Sequence, residues 1–202
     1  ETNITAVIVL YNVTNTIFQC LKNLKDIDII IADNGDNDPN VVEIIKKQKN
    51  IIKYFKFNKN IGFGRACNFC LNYVETDYCL LIEPDVFMKK NDILKLKDSF
   101  AKYPEAGILV PTLIDQSNKI IDKLDNIPEL KQLEKKNKSE NFFSGDVCVN
   151  FCWAAVMLIN VSIIRKVGLF NKKIFIFWED FYLCRKLKQL RVPIIKIFKA
   201  RA

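Results

Sequence analysis

The sequence predicts an α/β fold with a mostly parallel central sheet flanked by helices, and three observations predict it. Short β-branched runs alternate with segments of helical period, the pattern of strands wrapped by helices. Half of the 202 residues are apolar, with only six Gly and six Pro, which suits one globular domain with a sizeable core. Polar turn formers follow the strand-like runs, where an open parallel sheet keeps its ligands.

The elements follow in order. Ile4 to Leu10, Ile27 to Asp33, Ile51 to Phe57, Tyr78 to Glu83 and Gly107 to Val110 read as strands. Thr14 to Leu24, Pro39 to Lys49, Gly62 to Val74 and Asn91 to Tyr103 read as helices between them; in the last, Ile93, Leu94, Leu96 and Phe100 share a face behind Asn91 as cap. The polar, lysine-rich stretch Asp115 to Gly145 has no sustained period and is expected to be a mobile excursion. The sheet resumes at Val147. A buried strand, Trp153 to Ile159, runs into a helix capped near Asn160 to Ser162 and stopped at Gly168. An aromatic strand Ile174 to Trp178, a helix Glu179 to Leu190 and a last strand Val192 to Phe198 complete the chain.

Composition excludes several chemistries. There is no histidine, so a Ser-His-Asp triad, a Cys-His pair and a His-ligated zinc site are ruled out, and acid or base work falls to carboxylates. The net charge of +8 comes mainly from lysine, with Arg only at 65, 165, 185, 191 and 201. Scattered lysine attracts phosphates, nucleotides or an acidic membrane face, whereas nucleic-acid readers concentrate Arg. A nucleic-acid-binding domain would rest on charge alone, and no nucleic-acid partner is expected. The first twenty residues hold no Lys or Arg and the seven cysteines are odd in number, so no signal peptide is read and a reduced, cytosolic compartment with buried structural thiols is expected. Val147 to Ile164 is uncharged but carries Asn150, Asn160 and Ser162; it reads as strand and helix, not as a membrane span.

Five places after strand-like runs carry the candidate chemistry. Tyr11-Asn12 follows the first run. Asp33-Asn34-Gly35 follows the second; these are ordinary turn formers, yet a carboxylate there can accept from the ring N–H of a pyrimidine. Asn60-Ile-Gly62-Phe-Gly64-Arg65-Ala-Cys-Asn68 follows the third, where two glycines let backbone N–H groups approach an anion and Arg65 adds a bidentate phosphate contact. Glu83-Pro84-Asp85 ends an apolar strand; it is either a β-turn or a hard-cation site for Mg²⁺ or Mn²⁺ on a diphosphate. Glu179-Asp180 follows Trp178 and opens a helix, where carboxylates suit the dipole or, beside aromatics, act as a general base.

In this order and spacing the motifs resemble glycosyltransferase family 2, particularly its rhamnosyltransferase-like members with the Rossmann-like GT-A fold. Members typically show V-x-x-x-Y-N, D-N-x-S, N-x-G-F-x-x-A-x-N, N-P-D or D-x-D, G-A-x-M-L-I-R and E-D-x-D-L-x-x-R. Here these stand as Val7 to Asn12, Asp33 to Asp36, Asn60 to Asn68, Glu83 to Asp85, Cys152 to Asn160 and Glu179 to Arg185. Glu83, Asp36, Tyr182 and Cys152-Trp153 depart from the usual residues.

The resemblance implies an inverting transferase that moves a sugar from a dTDP- or UDP-linked donor to a glycan or lipid-linked acceptor in bacterial surface polysaccharide synthesis. Asp180 would be the catalytic base and Glu179 would orient the acceptor. Tyr11, Asn12, Asp33, Asn60, Gly62, Arg65, Asn68, Glu83 and Asp85 would bind the nucleotide sugar, with Asp85 holding Mg²⁺ or Mn²⁺, and Trp153 and Trp178 would stack on sugar. Residues 1–110 would form the nucleotide-binding half and 111–202 the acceptor and base half of one GT-A domain cut from a longer protein. The domain would be cytoplasmic, touching the inner membrane face peripherally. A non-catalytic nucleotide-sugar or glycan binding domain on the same fold is the alternative.

Overall fold

The first strand, β1 (Ile4–Leu10), sets the construction of the whole sheet. Ile4, Ala6, Ile8 and Leu10 enter one core and Val7 the other, since successive strand residues project to opposite faces. Its neighbours keep that register: Val7 pairs with Ile30 of β2 (Asp28–Asp33) and with Leu81 of β4 (Tyr78–Ile82), and all three lie in the same core. Fully burying each such side chain is worth about 1.5–3 kcal/mol. The computed structural model describes residues 2–121 and 145–202.

The remaining strands are β3 (Ile51–Lys56), β5 (Ile108–Thr112), β6 (Val147–Val149), β7 (Val156–Asn160) and β8 (Ile194–Arg201). They form one sheet in the order β3-β2-β1-β4-β7-β5-β8-β6. Only β7 and β6 run against the others, so the mostly parallel expectation holds. Helices α1 (Ile17–Asn23), α2 (Pro39–Lys46) and α4 (Lys90–Ser99) cover one face; α3 (Phe63–Leu71), α5 (Val161–Val167) and α6 (Glu179–Gln189) cover the other.

Local chemistry explains most boundaries. Asp38 caps α2 ahead of Pro39, and the Asn160 side chain accepts from the Ile163 N–H to cap α5, which Gly168 ends at φ +85°. Helix α1 starts three residues later than expected because Thr14 and Thr16 form a turn, their hydroxyls 2.9 Å apart. Lys89 and not Asn91 stands at the α4 cap.

The expected strand Ile174 to Trp178 is absent. Phe177 and Trp178 hold φ +60° and +71°, a left-handed turn incompatible with a ladder. The uncharged stretch from Val147 divides into β6, β7 and the start of α5. Among the described residues no helix is long and apolar enough to cross a membrane. Of the expected excursion, 115–121 forms a turn in which Asp115 accepts from Ser117 and Lys119; 122–144, including the Lys131 to Lys138 segment, lies outside the described residues. All seven cysteines are free, six buried and Cys148 exposed.

Candidate active site

The connections after β1 and β2 place α1 and α2 on one face, whereas the connection from β3 to β4 places α3 on the other. Direction reverses between β1 and β4, which leaves a crevice beyond their carboxyl ends. A cleft of about 440 Å³ lies there, lined by Tyr11 and Asn12 after β1, Asn60 and Gly62 before α3, and Glu83 to Asp85 after β4. Phe175 and Ile176 close one side. Thr14, Thr16, Asn34 and Phe63 also line it; the two threonines were hidden by starting the first helix at Thr14.

Two amides build the floor. Asn34 Nδ2 donates to Asn60 Oδ1 at 2.7 Å, the Ile61 N–H donates to Asn34 Oδ1 at 2.9 Å, and the Gly62 N–H donates to Asn60 Oδ1 at 2.8 Å. The Gly62 N–H is thus engaged within its own loop. Glycine is required there for another reason: φ is +86°, and a Cβ would collide with the Phe175 carbonyl. At Gly64 a Cβ would stand 3.0 Å from Phe170 Cβ and 3.5 Å from Glu179 Cβ. The two glycines let the 170–179 segment close onto the start of α3.

Asp33 is buried beneath the cleft. Its carboxylate accepts from Asn37 Nδ2 at 2.6 Å, the Gly35 N–H at 3.1 Å and the Tyr54 hydroxyl at 2.7 Å, and burial beside it pushes the Tyr54 phenol up. Asn68 and Arg65 are outside the cleft lining. Asn68 is buried and donates to the Phe170 carbonyl at 2.8 Å while accepting the Phe170 N–H at 2.9 Å; both ends of its amide are committed. Arg65 is exposed on α3, and its Nε donates to the Lys172 carbonyl at 2.6 Å. Through this bond α3 is tied to the 170–179 segment.

Glu83 and Asp85 line the cleft, and the charges of Glu179 and Asp180, which are outside its lining, act on Glu83. Glu83 is pushed up by burial first and then by the charges of Asp85, Asp180 and Glu179. Burial raises Glu179, helped by Asp180. It also raises Asp180, against the pull of the Phe181 and Ala154 N–H groups. Glu179 Oε2 is buried with no hydrogen-bond partner, an orphan that ordinarily costs about 1–3 kcal/mol. Asp85 is exposed at the cleft. None of the four forms an ion pair with the described residues, so the cluster is set to receive protons, a cation or donor hydroxyls.

Aromatic rings stand beside these carboxylates. Trp153 meets Phe151 edge-on at 4.9 Å, Phe151 lies 6.3 Å from Phe181, and Phe181 meets Trp178 edge-on at 5.6 Å. Both tryptophans are more than half exposed. Trp178 is held out by its left-handed backbone immediately before Glu179.

The profile of Glycosyl transferase family 2 matches residues 5–168. The N-acetylglucosaminyl-diphospho-decaprenol L-rhamnosyltransferase of Mycobacterium tuberculosis (strain CDC 1551 / Oshkosh) is 20% identical over 186 residues, which cover 79% of this chain and 60% of that protein. Rhamnosyltransferase WbbL of Escherichia coli (strain K12) is 26% identical over 147 residues, 62% of this chain and 54% of that one. The chain therefore spans between half and three fifths of these relatives. Among solved structures, GalNAc-T7 with UDP, GalNAc and Mn²⁺ superposes with a TM-score of 0.75 at 15% identity, covering 98% of this chain and 43% of that one.

Proposed function

The chain belongs to glycosyl transferase family 2, and from that membership we propose that its cleft binds a dTDP- or UDP-linked sugar and transfers the sugar, with inversion, to a lipid-linked or glycan acceptor. The placement of Glu83 and Asp85 on a crevice at the strand-order switch, with the charges of Glu179 and Asp180 acting on Glu83, supports this reading. The lipid-linked acceptor follows the mycobacterial relative, whose name specifies a diphospho-decaprenol. Such an acceptor belongs to surface polysaccharide assembly at the cytoplasmic face of a membrane. In this reading residues 1–110 hold the nucleotide and 111–202 supply acceptor contacts and base.

Asp33, held by Asn37, Gly35 and Tyr54 at the end of β2, recognises the nucleotide base, and Tyr11, Asn12 and Asn60 border the ribose and phosphates. Asp85, an exposed carboxylate past a strand end, would supply one hard-cation ligand; among the described residues no three acidic or Cys side chains are grouped to hold a metal, so the rest of the sphere would come from substrate and water. Mg²⁺ commonly takes one or two carboxylates and completes its sphere with substrate phosphates and water. Mg²⁺ or Mn²⁺ held by Asp85 and the diphosphate would neutralise charge on the leaving group.

Asp180 accepts the acceptor hydroxyl proton as that oxygen bonds to the anomeric carbon and the carbon's bond to the diphosphate oxygen breaks. Burial raises its affinity for a proton, which improves a carboxylate as a base. Glu179 orients the acceptor, and Trp153 and Trp178 stack on sugar rings.

Calorimetric titration with UDP, dTDP, GDP and CDP, each with Mn²⁺, Mg²⁺ or chelator, tests the donor site. Metal-dependent binding of one pyrimidine diphosphate, lost in Asp85→Ala, is expected; metal-independent binding unaffected by that substitution removes Asp85 from the site.

A further inference from the structure

We propose that Cys152 and Cys184 are a site of reversible oxidative modification, at which a hydroperoxide joins the two sulfurs in a disulfide that clamps α6 to the turn before β7. Their Sγ atoms lie 3.7 Å apart, and Cys184 Sγ donates to the Cys152 carbonyl at 3.8 Å. Cys152 is on the irregular stretch between β6 and β7, outside any strand, while Cys184 projects from α6 into the same apolar core. A disulfide needs its sulfurs at about 2.05 Å, a closure of about 1.7 Å from the present contact. Side-chain rotation and a small shift of the irregular stretch supply it without breaking a ladder.

Both thiols are free and buried, and Cys152 is the nearer to solvent, at 6% exposed against 1%. Contact with Cys184 first, and then burial, raises the Cys152 thiol, so proximity and not thiolate character selects this pair. Cys152 Sγ attacks the outer oxygen of the hydroperoxide; the O–O bond breaks, the Cys152 proton goes to the departing alkoxide, and a sulfenic acid and an alcohol result. Cys184 Sγ then bonds to Cys152 Sγ and displaces hydroxide, which takes the Cys184 proton and leaves as water. The two thiols have lost two hydrogens, and the hydroperoxide has been reduced to alcohol and water. A small thiol reverses the bond by exchange. The clamp falls beside the carboxylates. Cys184 is one helical turn after Asp180, and Ala154, two residues beyond Cys152, donates its N–H to Asp180. Drawing α6 and 152–154 together shifts Asp180 against that contact and slows transfer until the bond is reduced; this effect on the base rests on the catalytic reading, but the disulfide does not.

Oxidation of the folded chain followed by mass spectrometry tests it. The reduced chain carrying Cys148→Ser, which removes the exposed thiol, is treated with tert-butyl hydroperoxide under native conditions, then alkylated in denaturant and digested without reductant. Loss of two hydrogens from the intact mass and one cross-linked peptide pair, Cys152 to Cys184, are expected, and dithiothreitol should restore both thiols. A further Cys184→Ala should abolish the cross-link and leave Cys152 as a sulfenic acid that dimedone traps. The same treatment in urea, where the fold no longer holds the two sulfurs together, should lose the preference for this pair and so reports whether the native contact directs it. Retention of all thiols after native treatment, a cross-link between other cysteines, or an equal yield of the Cys152 to Cys184 link in urea would overturn the proposal. Nucleoside-diphosphate binding is measured on the reduced parent chain, so its absence would remove the donor reading and leave the oxidation site standing.

Discussion

The Phe175 carbonyl occupies the space into which a Cβ on Gly62 would project, and Gly62 is itself left-handed at φ +86°. This contact holds the 170–179 segment against the start of α3 and fixes one wall of the cleft. Alanine at Gly62 meets both obstacles. Gly62→Ala should cost about 2–4 kcal/mol, from left-handed strain plus displacement of the segment. A urea unfolding midpoint unchanged from the parent would mean that the segment is not held there.

Asn68 makes the second tie between the same two elements. In Asn68→Ala the buried N–H and C=O of Phe170 lose their partners, which should destabilise the chain by about 2–4 kcal/mol. Nucleoside-diphosphate affinity of the folded variant should stay within about twofold of the parent, since the side chain is outside the cleft lining. A large loss of affinity at unchanged stability would place Asn68 in the donor site.

Asn68 and Arg65 also mark where sequence reading stops. Strands β1, β2 and β4 were legible because apolar runs end in polar turn formers, and those ends assemble the cleft. Motif spacing places Arg65 and Asn68 on α3, but their partners at Lys172 and Phe170 lie more than a hundred residues away. The opposite direction of β7 was equally hidden, because side-chain alternation is the same in parallel and antiparallel strands. Phe175 to Trp178 have high strand propensity, yet the φ values of Phe177 and Trp178 override it.

Asp180 should separate chemistry from binding. Asp180→Asn removes the proton acceptor, and kcat should fall about 10²- to 10⁴-fold while donor affinity is retained. In the parent enzyme the base must be ionised, so the rate should fall as pH drops through its pKa. Burial sets that pKa above the ordinary aspartate range near 3.9. The acid limb of kcat should therefore lie above the ordinary range and vanish in the variant; an identical limb in Asp180→Asn would assign the base elsewhere.

Glu83 gives the cluster a measurable signature in stability. Burial first, then Asp85, Asp180 and Glu179, raises its carboxyl in the folded chain, whereas an unfolded glutamate titrates near 4.3. Below the ordinary value both states hold the proton and the site costs nothing. Between that value and the raised one the folded chain keeps a proton that the unfolded chain has released, so stability falls as pH rises through this window and stays reduced above it. Asp26, Asp115 and Asp146 are shifted downward and act in the opposite sense, so the informative quantity is the difference between two proteins at one pH. Metal-free Glu83→Gln should be more stable than the parent at neutral pH, with the difference closing at about pH 4 and below. Urea midpoints at the two pH values measure it. A glutamine variant less stable than the parent at neutral pH would show that Glu83 is held by an attractive partner and not opposed by the other three carboxylates.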